Sequence, residues 1–159
     1  MITYLFCILA LFSTSSFAEQ KSNWQIICRN KPIEVSGCQA VSSPSTVGSK
    51  TIRLLVRLSV SAGRPQVIIL SDSKLYSDRS YRGRTAITID DNKQMQFNYI
   101  EYFYTKNSEA NMLSNVADTP LLSQMKNGRK LEIDIEYSDG VQHTHEIRLI
   151  GFTRAMRQL

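Results

Sequence analysis

The stretch "LEIDIEYSDGVQHTHEIRLIGF" constrains the fold more than any other part of the 159-residue chain. From Leu131 to Tyr137, apolar residues alternate strictly with Glu132, Asp134 and Glu136. A period of two sends successive side chains to opposite faces of an extended backbone, so the segment predicts a half-buried β-strand and not a helix. In the return segment Ile147 and Leu149 must share the apolar side, and parity carries Val141, His143 and His145 there with them. A two-residue Asp139-Gly140 turn would set Ile133 against Glu146 and mismatch the faces. A three-residue loop ending at a left-handed Gly140 restores agreement, setting Ile135 beside His143 and Ile133 beside His145. The same register opposes Glu132 to Glu146, a like-charge pair that a bulge could relieve.

The period recurs upstream. "TIRLLVRLSV" places Ile52, Leu54, Val56, Leu58 and Val60 on one face and Arg53, Arg57 and Ser59 on the other. "SAGRP" supplies turn residues before the apolar run "QVIILS", which predicts a hairpin. "RTAITID" reads as the next strand. In "MQFNYIEYFYT", Phe97, Tyr99, Glu101 and Phe103 share one face, and Ile100, Tyr102 and Tyr104 the other. Aromatics suit strands because they bury large areas against cross-strand neighbours, and sheet packing is the plainer reading; an exposed aromatic binding strip is the alternative. Only "ADTPLLSQMKNGRK" changes period: Asp118 or Thr119 can cap, Pro120 fits the first turn, Leu121, Leu122 and Met125 form a stripe, and Gly128 ends it. "TRAMRQL" adds a terminal helical turn. The expected fold class is therefore all-β, a β-sandwich or flattened barrel with one or two short helices and one disulfide; α+β is the alternative.

The opening "MITYLFCILALFSTSSFAEQ" reads as a secretory signal peptide over residues 1–18, with Ser16 and Ala18 at the positions a signal peptidase reads. Its apolar core is too short for a stable membrane anchor. Residues 19–159 then suit a single domain and hold every charged residue, so the net charge of +5 belongs to them. That surplus favours a protein or an anionic envelope or host-surface partner. Export also sets the redox compartment. Cys28 and Cys38 enclose "CRNKPIEVSGC", in which Pro32 and Gly37 let the chain turn back, and an oxidising compartment makes a structural disulfide the natural reading. The expected location is periplasmic or secreted.

Two clusters are candidate sites. His143 and His145 on one strand face could chelate a transition metal, but a catalytic zinc wants three protein ligands and a structural one four. The chain has no other histidine, and the neighbouring acidic residues point away. Sheet packing is the plainer role, a pH response the next. The second cluster is "SDRSYRGR", with Arg79, Arg82 and Arg84 around Tyr81 and Lys74 just before it. Arginine forks beside an aromatic can hold phosphate, sulfate or carboxylate groups, whereas solvated loop charge is the plainer reading. Nucleic-acid binding would need a broader basic face. A serine elbow, a free Cys-His pair, a phosphate loop and a His-Glu metal motif are all missing from the sequence, so a non-enzymatic protein without a cofactor is expected.

Taken in order, "NWQIIC", "SGCQAV", "IRLLVRLSV", "AITID", "LLSQMKNGRKLEIDIEY" and the closing "IRLIGFTRAMRQL" resemble the invasion-associated locus B family of exported bacterial proteins, from Trp24 to Leu159. The most telling part is Gly151-Phe152 followed by Ala155 and Leu159. Members of that family often carry a second cysteine pair where this chain has "FNYIEYFYTKNSEANML", so the resemblance implies aromatic packing around Tyr99 to Tyr104 in place of a bridge. It implies a compact β-rich domain, periplasmic or surface-released and linked to host-cell invasion. It transfers no catalytic residue. A periplasmic assembly or accessory subunit of an envelope complex is the alternative function.

Overall fold

The computed structural model describes residues 22–29, 37–59, 62–80, 82–105 and 108–159. Residues 1–18, read above as a signal peptide, and Val60 and Tyr81 lie outside the described residues. Within them the strands are β1 (Trp24–Arg29), β2 (Gly37–Ser42), β3 (Ser45–Val47), β4 (Lys50–Leu58), β5 (Pro65–Ser71), β6 (Arg82–Ile89), β7 (Met95–Thr105), β8 (Ser108–Leu113), β9 (Lys130–Glu136) and β10 (Gln142–Arg148). Two short helices, α1 (Leu121–Asn127) and α2 (Phe152–Met156), complete them.

The strands form one antiparallel sheet in the order β1-β2-β4-β5-β8-β7-β6-β9-β10, with β3 on the β4 edge that β2 also uses. The ladder is open, so of the two expected shapes a hydrogen-bonded closed barrel is not formed. Instead the sheet curls until its ends meet through individual contacts. Asn23 N–H donates to the Ile150 carbonyl at 3.0 Å, and Trp24 Nε1 donates to the Arg148 carbonyl at 3.1 Å while its ring packs on Phe152. At β3, the Ser45 carbonyl meets His145 of β10.

Period-two alternation explains the curl. Ile52, Leu54 and Val56 of β4, Val67 and Ile69 of β5, Ile87 and Ile89 of β6, and Leu131, Ile133 and Ile135 of β9 all point into one core and are buried. Leu121 and Met125 of α1 and Phe152 of α2 fill its end. Each such aliphatic side chain contributes about 1.5–3 kcal/mol when withdrawn from water. The α1 stripe is as expected at Leu121 and Met125, with Leu122 only partly buried. Thr119 Oγ1 accepts a long bond from Leu121 N–H at 3.4 Å, whereas Asp118 closes a 3-10 turn just before the helix. Leu58, expected inside, is exposed at the end of β4.

A polar inclusion interrupts the core. Glu109 of β8, 1% exposed, accepts from Leu75 N–H at 3.1 Å and from Asn111 Nδ2 at 3.0 Å. Burial raises its carboxyl pKa, and these hydrogen bonds oppose the shift.

On the reverse of the sheet a second apolar cluster forms from Val41, Leu55, Ile68 and Ala110. Arg57 of β4 reaches Tyr102 of β7, Nη2 donating to the hydroxyl at 3.2 Å and the guanidinium lying 5.4 Å from the ring centre. Tyr102 and Ile100 are about half exposed there, so the outer aromatic face is partly open to solvent. On the inner side Phe97 and Tyr99 are buried, and a bulge between Glu101 and Phe103 shifts the register before the ladder with β8 resumes.

Cys28 and Cys38 face each other across β1 and β2 and form the expected disulfide, with a Cα–Cα distance of 4.0 Å. A loop of this size stabilises the fold by about 2–3 kcal/mol through the unfolded chain. In the last hairpin the register is the three-residue-loop one, with His143 opposite Ile135, His145 opposite Ile133 and Gly140 at φ 81°. Glu132 does oppose Glu146. No bulge is needed, because Lys130 Nζ sits 2.8 Å from one carboxylate and 3.9 Å from the other.

Gly83 is the most constrained position in β6. It lies opposite Tyr99, whose ring folds across it and whose hydroxyl donates to the Tyr76 carbonyl at 2.5 Å; a Cβ on Gly83 would sit 2.1 Å from that ring. Gly83→Ala must therefore displace Tyr99, and a loss of about 1–3 kcal/mol is expected from the overpacking. Urea unfolding monitored by tyrosine and tryptophan fluorescence checks it; unchanged stability would show that the ring is free to move.

Candidate functional site

The outward side of β7, β6, β9 and β10 is built from residues that strand parity sends away from the core. Their register aligns them in rows. Asn98 of β7 opposes Arg84 of β6, and Gln142 of β10 opposes Glu136 of β9. The β6–β9 ladder ends at Ala86 and Asp134, and beyond it the Glu136 carbonyl accepts from Tyr76 N–H, so Arg84 and Glu136 are not cross-strand partners but face a shared recess. One row runs Gln96, Ala86, Asp134, Thr144. Neighbours within a row are about 4.8 Å apart, the spacing between strands.

The methyl of Ala86 leaves a dip between longer side chains. A concavity of about 450 Å³ opens there, walled by Arg84, Gln96, Asp134, Glu136, Gln142 and His143 among others. A second, of about 470 Å³, is lined by Tyr76, Asp78, Arg82, Gly83, Arg84, Asn98 and Glu136. Arg84 and Glu136 line both.

Part of the expected basic cluster falls on this face. Arg82 and Arg84 are exposed and line the recess, but on strand β6 and not in the loop the sequence suggested. Between the two arginines, Gly83 is the strand position that accommodates Tyr99. Arg79 lies in the exposed turn before β6, and Lys74 is exposed beyond β5 with its carbonyl accepting from Ser138 N–H. Neither lines either concavity. Tyr81 lies outside the described residues. Tyr76, 47% exposed, is the aromatic actually placed at the rim, with Asn98, Gln96, Glu136, Gln142 and Thr144 around it or along the rows. Sequence reasoning missed these residues. Outward parity was readable for β9 and β10, but not that β6 pairs with β9.

The two histidines share the inward face, as parity required, and differ in depth. His145 is fully buried. Its Nδ1 lies 3.2 Å from the Ser45 carbonyl, and its Nε2 lies 2.8 Å from the Tyr137 hydroxyl. A carbonyl only accepts, so Nδ1 carries the proton and Nε2 accepts from Tyr137. Both ring nitrogens are thus engaged within the fold. Burial pushes the imidazole pKa below its ordinary value; the bond to Ser45 and the charge of Asp72 oppose this, and His143 adds to it. Tyr137 is pushed up to about 12, chiefly by burial. His143 is half-buried at the rim, edge-on to Tyr137 and His145 and packed near Gly48 in the β3–β4 turn. Lys50 Nζ sits 4.9 Å from the Tyr137 ring centre and pairs with Asp139 at 2.7 Å. Among the described residues, no group of three or more His, Cys, Asp or Glu side chains is gathered to hold a metal ion.

The fold and this face define a disulfide-bonded antiparallel β protein with a polar, shallow outer recess. Among solved structures, invasion associated protein B from Bartonella henselae has a similar fold, with a TM-score of 0.56 over 87% of this chain and 92% of that one. The sequences are 11% identical, so the likeness is one of fold alone. No protein-family model and no curated protein sequence matches the chain.

His145 gives the fold a defined acid sensitivity. Because its folded pKa is depressed, the unfolded chain takes up the proton first, and stability falls as pH drops from about 6.5 through the folded value. Urea midpoints measured between pH 8 and 5 should show this decline in the wild type and a flatter profile in His145→Gln. A parallel pair of profiles would exclude His145 as the cause. Tyr137→Phe, which strands Nε2 without a donor, should cost about 1–3 kcal/mol at neutral pH.

Proposed function

We propose that the chain is an exported, non-enzymatic binding module of the bacterial envelope or host interface, belonging to the invasion-associated locus B family. The disulfide and the shared fold with an invasion associated protein support an extracytoplasmic location, periplasmic or secreted. No helix among the described residues is long and apolar enough to cross a membrane. The observation that carries the reading is the placement of Arg82 and Arg84, both exposed, Arg82 lining one concavity and Arg84 lining both. An arginine fork presented from a strand can take carboxylate or phosphate groups of a protein or surface partner.

A second reading, an accessory subunit of an envelope complex, draws on the sheet edge. Among the described residues β1 pairs with β2 alone, and Gln25, Ile27 and Cys28 along it are exposed. Such an edge can accept an added strand. Cross-linking in intact envelopes separates the two readings: a stable protein partner with little retention on host material favours the subunit.

For the binding module, replacing Arg79, Arg82 and Arg84 together by Ala should lower retention on host-cell or envelope surfaces by about tenfold, the loss of at least one charge-assisted hydrogen bond. Raising salt from about 0.15 to 1 M should weaken wild-type retention as well, because the screening length shrinks from about 8 to 3 Å. Full retention by the triple variant would overturn this reading.

A further inference from the structure

The side chains along the recess carry more chemical detail than an anionic contact needs. Arg82 and Arg84 are accompanied by Asp78, Asp134 and Glu136, so the face has no surplus of positive charge. A polyphosphate or nucleic-acid ligand would want such a surplus. A protein interface would want an apolar, aromatic centre, which this face lacks. Its groups are instead planar and polar.

They also differ in how far they are committed. Asp78 accepts from Ser80 N–H and Arg82 N–H, and Asp134 accepts from Thr144 and Gln94, so both are occupied in shaping the face. Among the described residues, no hydrogen bond or ion pair holds the side chains of Asn98, Arg84, Glu136 or Gln142, two cross-strand pairs on the outward side. One pair presents an amide and a guanidinium, the other a carboxylate and an amide. Amides both donate and accept, guanidinium only donates, and an ionised carboxylate only accepts. Hydroxyl groups, each donor and acceptor at once, match such a mixed set. Tyr76, half exposed at the rim, offers a flat apolar face. Each concavity falls within the size range of small-molecule sites, and Arg84 and Glu136 line both.

We propose that this face binds an acidic oligosaccharide, one bearing uronate groups, laid across the β7-β6-β9-β10 rows. Arg84, with Arg82 beside it, takes the sugar carboxylate. Asn98, Glu136 and Gln142 hydrogen-bond ring hydroxyls, and Tyr76 receives the C–H face of a sugar ring. The proposal rests on the reading of the chain as a binding module through this surface and names the ligand class for it.

The test uses the full mature chain and a hexasaccharide of alternating glucuronate and N-acetylglucosamine, with a neutral N-acetylglucosamine hexasaccharide and a heparin hexasaccharide as comparators. Calorimetry at about 0.15 M salt and amide-shift mapping give affinity and place. The uronate hexasaccharide should bind most tightly and move amides of β6, β9 and β10. Arg84→Gln should weaken it by about tenfold or more, and Glu136→Ala by about three- to tenfold. Both side chains are exposed or half-exposed, so melting temperatures confirm that the variants fold. Tighter binding by Glu136→Ala, or a preference for heparin, would mean a simple cationic patch and overturn the saccharide assignment. Absence of saccharide binding, while the triple arginine variant still loses surface retention, would sink the ligand class and leave the binding surface standing. Shifts confined to β1, β4 and β5 would also overturn it, as the saccharide would then lie on another face.

Discussion

An antiparallel sheet with an apolar face must cover that face, and among the described residues two short α-helices are available to help. The sheet therefore covers itself. Curling brings β10 back against β3 and β1, enclosing the aliphatic rows of β4, β5, β6 and β9. Everything else follows from the sense of that curl. Residues one parity step away face outward, where Gln96, Ala86, Asp134 and Thr144 form a row because the strands beneath them are in fixed register, with Arg84 and Glu136 beyond the end of the β6–β9 ladder. The outer recess is thus a by-product of core formation and needs no separate loop architecture to hold it.

The two ends of the curl meet through side chains. Trp24 reaches the Arg148 carbonyl, and His145 spans from the Ser45 carbonyl to Tyr137. A fully apolar residue at position 145 would leave the Ser45 carbonyl and the Tyr137 hydroxyl without these partners in a dry environment, which is costly. Histidine suits the place because its neutral ring offers one donor and one acceptor on opposite sides. The imidazole pair, for which sheet packing was the plainer reading, is divided between two roles: His145 is a structural tie, and His143 is a rim residue.

Legibility from sequence tracked the range of the interaction. The last hairpin could be read to single residues, because alternation in "LEIDIEY" and a glycine at position 140 leave one register that keeps both faces consistent. The disulfide was equally plain from compartment and spacing. What could not be read was which strands pair out of order: β5 with β8, and β6 with β9. Alternation assigns a face to a residue but not a neighbour to a strand. For that reason Arg82 and Arg84 were recognised as a candidate contact while Asn98, Glu136 and Gln142 were not. The role of Gly83 was equally out of reach, since making room for the Tyr99 ring depends on the β6–β7 register.

The depth of the outer recess depends on a single methyl. Ala86 sits between Gln96 and Asp134 on neighbouring strands, and any longer side chain there would level the floor while leaving the core beneath untouched. The shape of this surface is therefore set at one outward position, independently of the packing that holds the sheet together.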